Sequence, residues 1–159
     1  MDLPLEALPV VYEAVAEEKH LDRFGHVNVM WYTHFFDEAT LGLFERLGCG
    51  TSYYTQSGHG MFALEQHTRY LRELRSSDVI EVRARLLGAG PKRIHFMLFL
   101  TTGGGSRLSA TSELVGMHVR LAHRRSVPMP TVLVQAIADL LSDHRSLPWT
   151  APACGVMSA

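Results

Sequence analysis

A long apolar helix is the feature that most constrains how this chain can fold. Between residues 30 and 47, apolar side chains recur at every fourth position, namely Trp31, Phe35, Ala39, Leu43 and Leu47. This is the spacing of one helix face, and further aromatic and aliphatic residues widen the stripe beyond half of the circumference. A helix that is apolar over so much of its surface is usually buried. We therefore predict a buried central helix that ends at Gly48, a residue suited to the left-handed conformation.

The loop before this helix collects polar groups at the helix start. Residues 22–28 contain Asp22, Gly25, His26 and Asn28. Asn28 occupies the N-cap position, and the first N–H groups of a helix lack a backbone acceptor and carry partial positive charge. A carboxylate beside such donors is an arrangement that can stabilise an oxyanion.

Size and composition exclude several classes of protein. A chain of 159 residues can form one domain with a proper core. We predict this domain over residues 1–146, followed by a C-terminal tail, residues 147–159, that is loose unless it docks on a partner. The formal net charge of −1 argues against nucleic-acid binding, which requires an excess of Lys and Arg. The longest uncharged apolar run, residues 94–100, is too short to cross a membrane.

The cysteine, histidine and N-terminal patterns indicate a cytoplasmic protein without a metal. Cys49 and Cys154 are too few for a disulfide framework, which favours a reducing cytoplasm. The nine histidines do not have the spacing of a metal-binding motif, so we predict no metal site. The start of the chain is acidic and lacks the basic region of a secretion signal.

Alternating patterns predict five strands. The first covers residues 10–19, and the others cover residues 61–74, 79–87, 93–101 and 108–122, the last with a bulge at Gly116. Short turns rich in Gly, Ser or Asp join the last four strands and indicate an antiparallel meander. Residues 51–60 are predicted as a loop, and Thr131 as the cap of a helix over residues 132–142.

The lengths of the helix and the strands fit one another. A helix of 18 residues and a strand of eight residues are both about 27 Å long. Five strands can therefore curl around the helix along its whole length. We predict an α+β fold in which a five-stranded antiparallel sheet wraps around a long central helix, with a short C-terminal helix.

The ordered motifs of the chain resemble a known family. Asp22-x-x-Gly25-His26-Val27-Asn28 is followed by Tyr32, Phe35-Phe36, Asp37-Glu38 and Ala39. This series resembles the hotdog-fold acyl-CoA thioesterases of the 4-hydroxybenzoyl-CoA thioesterase type. Phe62-x-x-Glu65-x-His67-x-Arg69-x-Leu71 and Lys92-Arg93-Ile94-His95 resemble the subgroup that hydrolyses betainyl-CoA.

The resemblance implies a mechanism and an assembly. Asp22 is expected to act as the nucleophile or as the base for water, with the thioester oxygen against the backbone N–H near Val29. No cofactor is expected, because coenzyme A is part of the substrate, and active sites are expected between subunits of a homodimer or homotetramer. The chain departs from the family pattern at Val29, where a second asparagine is common, and at His20, where a carboxylate is common.

Other residues receive roles that the sequence leaves open. His26 is expected either to contact the substrate or to hold the loop by hydrogen bonding, and Asn28 to cap the helix. Glu38 is a rival to Asp22, because a related branch places its catalytic carboxylate on this helix. The expected substrate-binding residues are Gly25, Trp31, Tyr32, Phe62, Glu65 and His67. Aromatic side chains around the acyl group would suit an aryl or a trimethylammonium acyl group.

Three functions compete. The leading one is an acyl-CoA thioesterase that acts on a short-chain, aryl or betainyl-type acyl-CoA. The second is a non-catalytic acyl-CoA sensor or scaffold on the same fold, and the third is a hotdog hydratase or dehydratase, which would need a different arrangement of histidine and acid. Release of free thiol from acyl-CoA discriminates the first from the others.

Overall fold

One long helix lies against a curved antiparallel sheet in the computed structural model, which describes residues 3–159. Met1 and Asp2, which the predicted domain 1–146 includes, lie outside the described residues. The strands are β1 (Val10–Val15), β2 (His59–Tyr70), β3 (Val79–Ala89), β4 (Arg93–Thr102), β5 (Arg107–Arg120) and the two-residue β6 (Arg125–Ser126). The helices are α1 (Val29–Arg46), α2 (Thr51–Ser57) and α3 (Thr131–Arg145). Within residues 3–159, no helix is long and apolar enough to span a membrane.

The five long strands form one sheet in the order β1-β3-β4-β5-β2, and all of their pairings are antiparallel. The prediction of a five-stranded antiparallel sheet around a central helix is confirmed, with β6 as a short addition that pairs with β5. The predicted meander is wrong at one connection, because β2 pairs with β5 and not with β3. β2 therefore forms one edge of the sheet, and the chain crosses to the other side before β3 begins.

Hydrogen bonds at both ends of the crossover explain why residues 71–78 do not form the predicted hairpin. The Leu71 N–H donates to the Ser109 carbonyl at 2.9 Å, which continues the pairing of β2 with β5. The Ser77 N–H donates to the Ala16 carbonyl at 2.7 Å, which prolongs the pairing of β1 with β3. The two ends of the crossover are thus bonded to different parts of the sheet, one to β5 and the other to the chain after β1. Leu74 in the middle is buried beneath the start of α1.

Both faces of β4 are buried, and this accounts for its nearly continuous apolar sequence. Ile94, Phe96 and Leu98 belong to the main core with α1. Met97 and Phe99 lie on the opposite, outer face, where a second cluster covers them with residues from both ends of the chain. The predicted C-terminal tail contributes to this cover, because Leu147, Trp149 and Ala151 pack there.

Four local predictions need correction. Residues 51–57, predicted as part of a loop, form α2, and β1 ends at Val15 and not at residue 19. Helix α3 starts at Thr131, so Pro130 is the N-cap residue and Thr131 makes no capping hydrogen bond. The predicted bulge at Gly116 lies on the neighbouring strand instead. Gly116 pairs with Ala63, and Leu64 is the extra residue in β2.

A glycine lets α1 approach β1 closely. A Cβ atom added to Gly42 would lie 1.9 Å from the backbone oxygen of Val11. A backbone atom cannot move aside as a flexible side chain can. Only glycine therefore fits at this point of the helix, although glycine is normally the poorest helix former except proline.

We expect the Gly42→Ala variant to be less stable than the wild type by about 1–3 kcal/mol, as for other overpacked interiors. Helix propensity alone would favour alanine by about 1 kcal/mol, so the sign of the change tests the close approach. Urea unfolding measures it, with Thr33→Ala on the exposed side of the same helix as the control. Equal or greater stability of Gly42→Ala would contradict the contact.

Candidate active site

The loop before α1 is a tight turn closed by backbone hydrogen bonds. Leu21 and Val27 form an isolated antiparallel bridge. The Asp22 N–H donates to the His26 carbonyl at 2.9 Å, and the Gly25 N–H donates to the Asp22 carbonyl at 3.1 Å. Gly25 has a φ of +80°, a conformation that side chains other than glycine rarely adopt. The backbone conformation of this turn therefore favours glycine at position 25.

The carboxylate of Asp22 has one oxygen in the turn and one oxygen facing an imidazole. Its Oδ1 accepts the Phe24 N–H at 2.7 Å, which is the hydrogen bond of an Asx turn. Its Oδ2 lies 3.5 Å from Nδ1 of His26. The side chain of Asp22 is 19% exposed. The loop therefore orients the carboxylate, and Oδ2 can still accept a hydrogen bond from another donor.

The start of α1 offers a free donor. Oδ1 of Asn28 accepts the Met30 N–H at 3.0 Å, which makes Asn28 the N-cap. The Trp31 N–H donates to the Asn28 carbonyl at 2.9 Å. The N–H of Val29 has no acceptor among residues 3–159. An unpaired N–H at the positive end of a helix can donate to an oxyanion.

His20 is a structural residue at the position where the family often has a carboxylate. Its Nδ1 accepts the Glu17 N–H at 2.9 Å, and its ring lies 4.2 Å from the ring of Trp31. Burial lowers the pKa of His20, so the imidazole is neutral at pH 7. The replacement therefore adds no charge beside the Asp22 loop, and Trp31 is half-buried against this ring.

Tyr32 fastens the crossover between β2 and β3 to the site. Its hydroxyl accepts the Leu74 N–H at 3.0 Å and donates to the Arg72 carbonyl at 3.3 Å. Burial raises the pKa of Tyr32 to about 12. The Val27 N–H also donates to the Leu74 carbonyl at 2.8 Å. The crossover thus supports the loop and the helix start, and the hydroxyl of Tyr32 is occupied by the backbone.

A cleft of about 500 Å³ lies between α1 and strands β2 and β5. Its walls are aromatic and aliphatic, with contributions from Phe36, Phe44, Tyr54, Phe62, Phe96, Leu41, Met61 and Leu114. Asp37 and Glu38 of α1 supply carboxylates, and no Lys or Arg is among the described residues that line it. Arg124 lies just beyond, with its guanidinium 5.5 Å from the ring of Phe62. A mostly apolar cleft of this size, with a few polar groups, is typical of a small-molecule binding site.

The structure separates the two candidate acids. Glu38 lines the cleft, whereas none of residues 22–29 does. Of the other expected substrate-binding residues, Phe62 lines the cleft and Gly25, Trp31 and Tyr32 do not. Asp22, His26, Asn28 and Val29 are gathered at the helix start. In a single copy of the chain, the loop and the cleft are therefore distinct places.

The bulge in β2 explains why Glu65 and His67 are absent from the cleft. Because Leu64 is an extra residue, Gln66 lines the cleft together with Ala63. Residues on either side of Gln66 then point to the outer face, since side chains alternate along a strand. A single copy thus gives these two residues no access to the cleft.

Most of the residues that line the cleft were not among the expected site residues, and Tyr54 and Gln66 are two of them. Tyr54 reaches it from α2, which the sequence pattern did not predict. Neighbouring Tyr53 donates to or accepts from Nε2 of His118 at 2.8 Å and so holds α2 on the sheet. Gln66 is the other, and it also bonds to Ser112 at 2.9 Å. The paired tyrosines were the one available signal, because they are unusual in a solvated loop.

Comparison with known proteins identifies the family. The Thioesterase-like superfamily matches residues 18–137. A betainyl-CoA thioesterase from Pseudomonas aeruginosa is 33% identical over 137 residues, which cover 86% of this chain and 86% of that protein. An L-carnitine dehydrogenase/betainyl-CoA thioesterase from Agrobacterium fabrum is 30% identical over 139 residues, which cover 87% of this chain and 28% of that longer protein.

A solved structure supports the fold. A hypothetical protein from Staphylococcus aureus, determined in complex with CoA, superimposes with a TM-score of 0.81 at 24% identity and covers 90% of each chain. The predicted hotdog fold is confirmed. The chain belongs to the Thioesterase-like superfamily and is a thioester hydrolase. This membership favours the hydrolase over the sensor and the hydratase alternatives.

We expect Tyr32→Phe to lower the free energy of unfolding by about 1–3 kcal/mol, because the buried Leu74 N–H loses its acceptor. The matched control is Tyr70→Phe, since Tyr70 is exposed and its ring touches that of Tyr32. Urea unfolding gives the stability, and thiol release gives KM. A raised KM with unchanged stability would show that Tyr32 serves the substrate and not the crossover.

Proposed function

We propose that this chain hydrolyses an acyl-CoA to the free acid and coenzyme A, with Asp22 as the catalytic carboxylate. The observation that carries the proposal is the geometry at the start of α1, where an oriented carboxylate and the unpaired N–H of Val29 belong to one short loop. Thioester hydrolysis needs few groups beyond these two kinds.

The chemistry can follow either of two routes. In one, Asp22 removes a proton from water, and the hydroxide formed attacks the thioester carbonyl. In the other, Asp22 attacks the carbonyl itself, and water hydrolyses the resulting anhydride. In both routes an oxyanion forms that accepts a hydrogen bond from the Val29 N–H, and in both the CoA thiolate leaves. General-base help is typically worth about 10²–10⁴-fold in rate, and one oxyanion donor about 10²–10³-fold.

His26 has a supporting role in this scheme. Its Nδ1 lies 3.5 Å from Oδ2 of Asp22, and its backbone carbonyl closes the turn. It can therefore orient the reactive oxygen of Asp22. No metal or redox cofactor takes part. The two free cysteines suit a reducing compartment, and we place the reaction in the cytoplasm.

We further propose that each active site lies between two copies of the chain, in a homodimer or a pair of homodimers. Strand β2 is a 12-residue edge strand, and an exposed edge readily pairs with another chain. Several exposed apolar side chains surround the same region, namely Phe24, Val29, Met30, Leu64, Tyr70 and Leu71. The rings of Tyr32 and Tyr70 lie 5.2 Å apart and so connect the helix start with the end of β2.

A second copy on this surface would cover the apolar side chains, as such patches commonly require. In this arrangement the Asp22 loop of one copy faces the cleft of the other. The thioester carbon then lies at the mouth of the cleft, with the acyl group inside it. This accounts for a loop and a cleft that do not meet within one chain.

The chemistry of the cleft favours a small cationic acyl group. Its aromatic walls and the carboxylates of Asp37 and Glu38 suit a trimethylammonium group by cation–π contact and by charge. The relative from Pseudomonas aeruginosa is a betainyl-CoA thioesterase. We therefore propose betainyl-CoA or a close analogue as the substrate, and assign recognition of the positive charge to Glu38. An aryl acyl group would use the same walls without the carboxylates.

We expect Asp22→Asn to lower kcat for acyl-CoA hydrolysis at least 100-fold, measured by release of free thiol. Asparagine keeps the oxygen that accepts the Phe24 N–H, so the turn should persist and the melting temperature should be unchanged. Asp139→Asn, the same substitution on the exposed side of α3, is the control and should retain the wild-type rate. If Asp22→Asn retains full activity while Glu38→Gln loses it, the catalytic acid is Glu38.

The proposed charge recognition is tested with two substrates of equal shape. Betainyl-CoA and 3,3-dimethylbutyryl-CoA differ only by the nitrogen that carries the charge. We expect kcat/KM, divided by the uncatalysed hydrolysis rate of each, to be at least tenfold higher for betainyl-CoA, which is about 1.4 kcal/mol. The division is needed because the ammonium group also activates the thioester.

Glu38→Gln should reduce the ratio of the normalised kcat/KM for betainyl-CoA to that for 3,3-dimethylbutyryl-CoA. Glu13→Gln, at an exposed position of β1, should leave this ratio unchanged. Equal normalised values for the two substrates in the wild type would contradict a cationic acyl group, while leaving the role of Asp22 open to its own test.

A further inference from the structure

Three metal-binding side chains converge on the outer face of the sheet, opposite α1. They are His67 of β2, Glu113 of β5 and Cys154 of the C-terminal tail, and their ligand atoms all lie within 4.8 Å of one another. His67 and Glu113 are direct partners in the pairing of β2 with β5. Three segments that are distant in sequence therefore bring an imidazole, a carboxylate and a thiol to one point.

Glu113 is built into this point as a charged group. Its side chain is only 1% exposed. Its Oε1 lies 2.8 Å from Nε2 of His95, and its Oε2 accepts the Cys154 N–H at 2.6 Å. Both oxygens of this buried carboxylate are therefore held in place by hydrogen bonds from the protein. Since a buried carboxylate is costly without a counter-charge, a cation at this point would be stabilised.

The hydrogen bonds to Glu113 leave room for a metal. Each carboxylate oxygen has two lone pairs, and each has one protein partner here. Carboxylates that bind metals are commonly held by a further hydrogen bond of the kind that His95 provides. His67 is exposed at the rim, so water can take a fourth position.

We propose that His67, Glu113 and Cys154 bind a divalent transition metal of the zinc type, which fastens the C-terminal tail to the sheet. Nitrogen, oxygen and sulfur donors together are the set that zinc accepts in tetrahedral sites. Tetrahedral bonds of about 2.0–2.3 Å would bring the ligand atoms to about 3.3–3.6 Å from one another, which requires a movement of about 1 Å. The site differs from the sequence-based prediction of no metal, because that prediction used only spacing along the chain.

Apart from Cys154, the tail is attached mainly by apolar and aromatic contacts, including those of Leu147 and Ala151 in the second cluster, so a metal would add a bond of a different kind. Within residues 147–159, Trp149 lies over the guanidinium of Arg85 at 4.0 Å and contacts the ring of Phe99 at 5.8 Å. Beyond Trp149, the hydrogen bond from Cys154 to Glu113 is the main polar contact with the sheet. A metal bound there would add a bond from the thiolate itself.

The chain supplies a matched control for the thiol. Cys49 is buried in the main core, and burial raises its pKa to about 12, so it does not provide a thiolate near neutral pH. Cys154 is partly exposed at the rim of the proposed site. Of the two cysteines, only Cys154 belongs to the cluster of metal-binding side chains.

The test is a titration of metal-free, untagged full-length protein with Co²⁺, followed by competition with Zn²⁺. We expect one equivalent of Co²⁺ per chain with a thiolate-to-cobalt charge-transfer band, displaced by Zn²⁺. Cys154→Ser should abolish the band, and His67→Ala should weaken Zn²⁺ binding at least tenfold. Cys49→Ala should keep the charge-transfer band and the wild-type affinity for Zn²⁺, even if its melting temperature falls.

A second measurement follows the tail itself. Zn²⁺ should slow proteolytic cleavage within residues 147–159 of the wild type and not of Cys154→Ser. Absence of the cobalt band in the wild type would overturn the proposal, and so would its persistence in Cys154→Ser. In either case the cluster is a hydrogen-bonded anchor only. Thioesterase activity is not the readout, so the result is independent of the proposed mechanism.

Discussion

The position of α1 depends on the contacts that hold its first turn against the β2–β3 crossover. The hydroxyl of Tyr32 binds the backbone of Arg72 and Leu74, and the backbone of Leu74 in turn binds Val27. Leu74 itself is buried in the core. These bonds stop the helix start from fraying, although terminal turns are normally its least stable part. The loop with Asp22 is therefore attached to a fixed point and not to a mobile helix end.

The fixed helix start also decides how charge is distributed. Asn28 satisfies one of the free N–H groups, and the N–H of Val29 remains unpaired among the described residues. His20 fills the space behind the loop as a neutral ring, because burial lowers its pKa. Asp22 is thus the acidic group of a loop that leads into a helix start with one unpaired donor. The sheet contributes a different property, since β2 and β5 supply the apolar cleft that holds Glu38 at its wall.

Much of this could be predicted from the sequence, because helix periodicity and local motifs are local properties. The buried helix, the turn at Gly25 and the cap at Asn28 are all decided by residues close together in the chain. The partner of β2 could not be predicted in this way, since alternation reveals the two faces of a strand but not its neighbours. The extra residue Leu64 had no sequence signal. It alone turns Gln66 towards the cleft, whereas the sequence predicted that Glu65 and His67 would line the cleft.

Contacts between distant segments were equally hidden. The polar residues His95 and Glu113 occur in strands whose other residues are mostly buried, and the tail that covers the two residues explains their burial. The helix α2 was missed because its seven residues are few for a periodic pattern and its stability comes from contacts such as that of Tyr53 with His118. Tertiary contacts, not propensity, decide such elements.

In the proposed mechanism, Asp22 of one copy acts on a thioester bound in the cleft of another, and dimers that contain two different variants test this arrangement. Asp22→Asn removes the acid, and Glu38→Arg places a positive charge where the cationic acyl group should bind. Each variant alone should be inactive on betainyl-CoA. After the two are unfolded and refolded together, half of the dimers contain one chain of each kind, and each of these has one intact site. We expect recovery of about a quarter of the wild-type activity. A mixture that stays as inactive as its parents, with mixed dimers confirmed by native mass spectrometry, would contradict it.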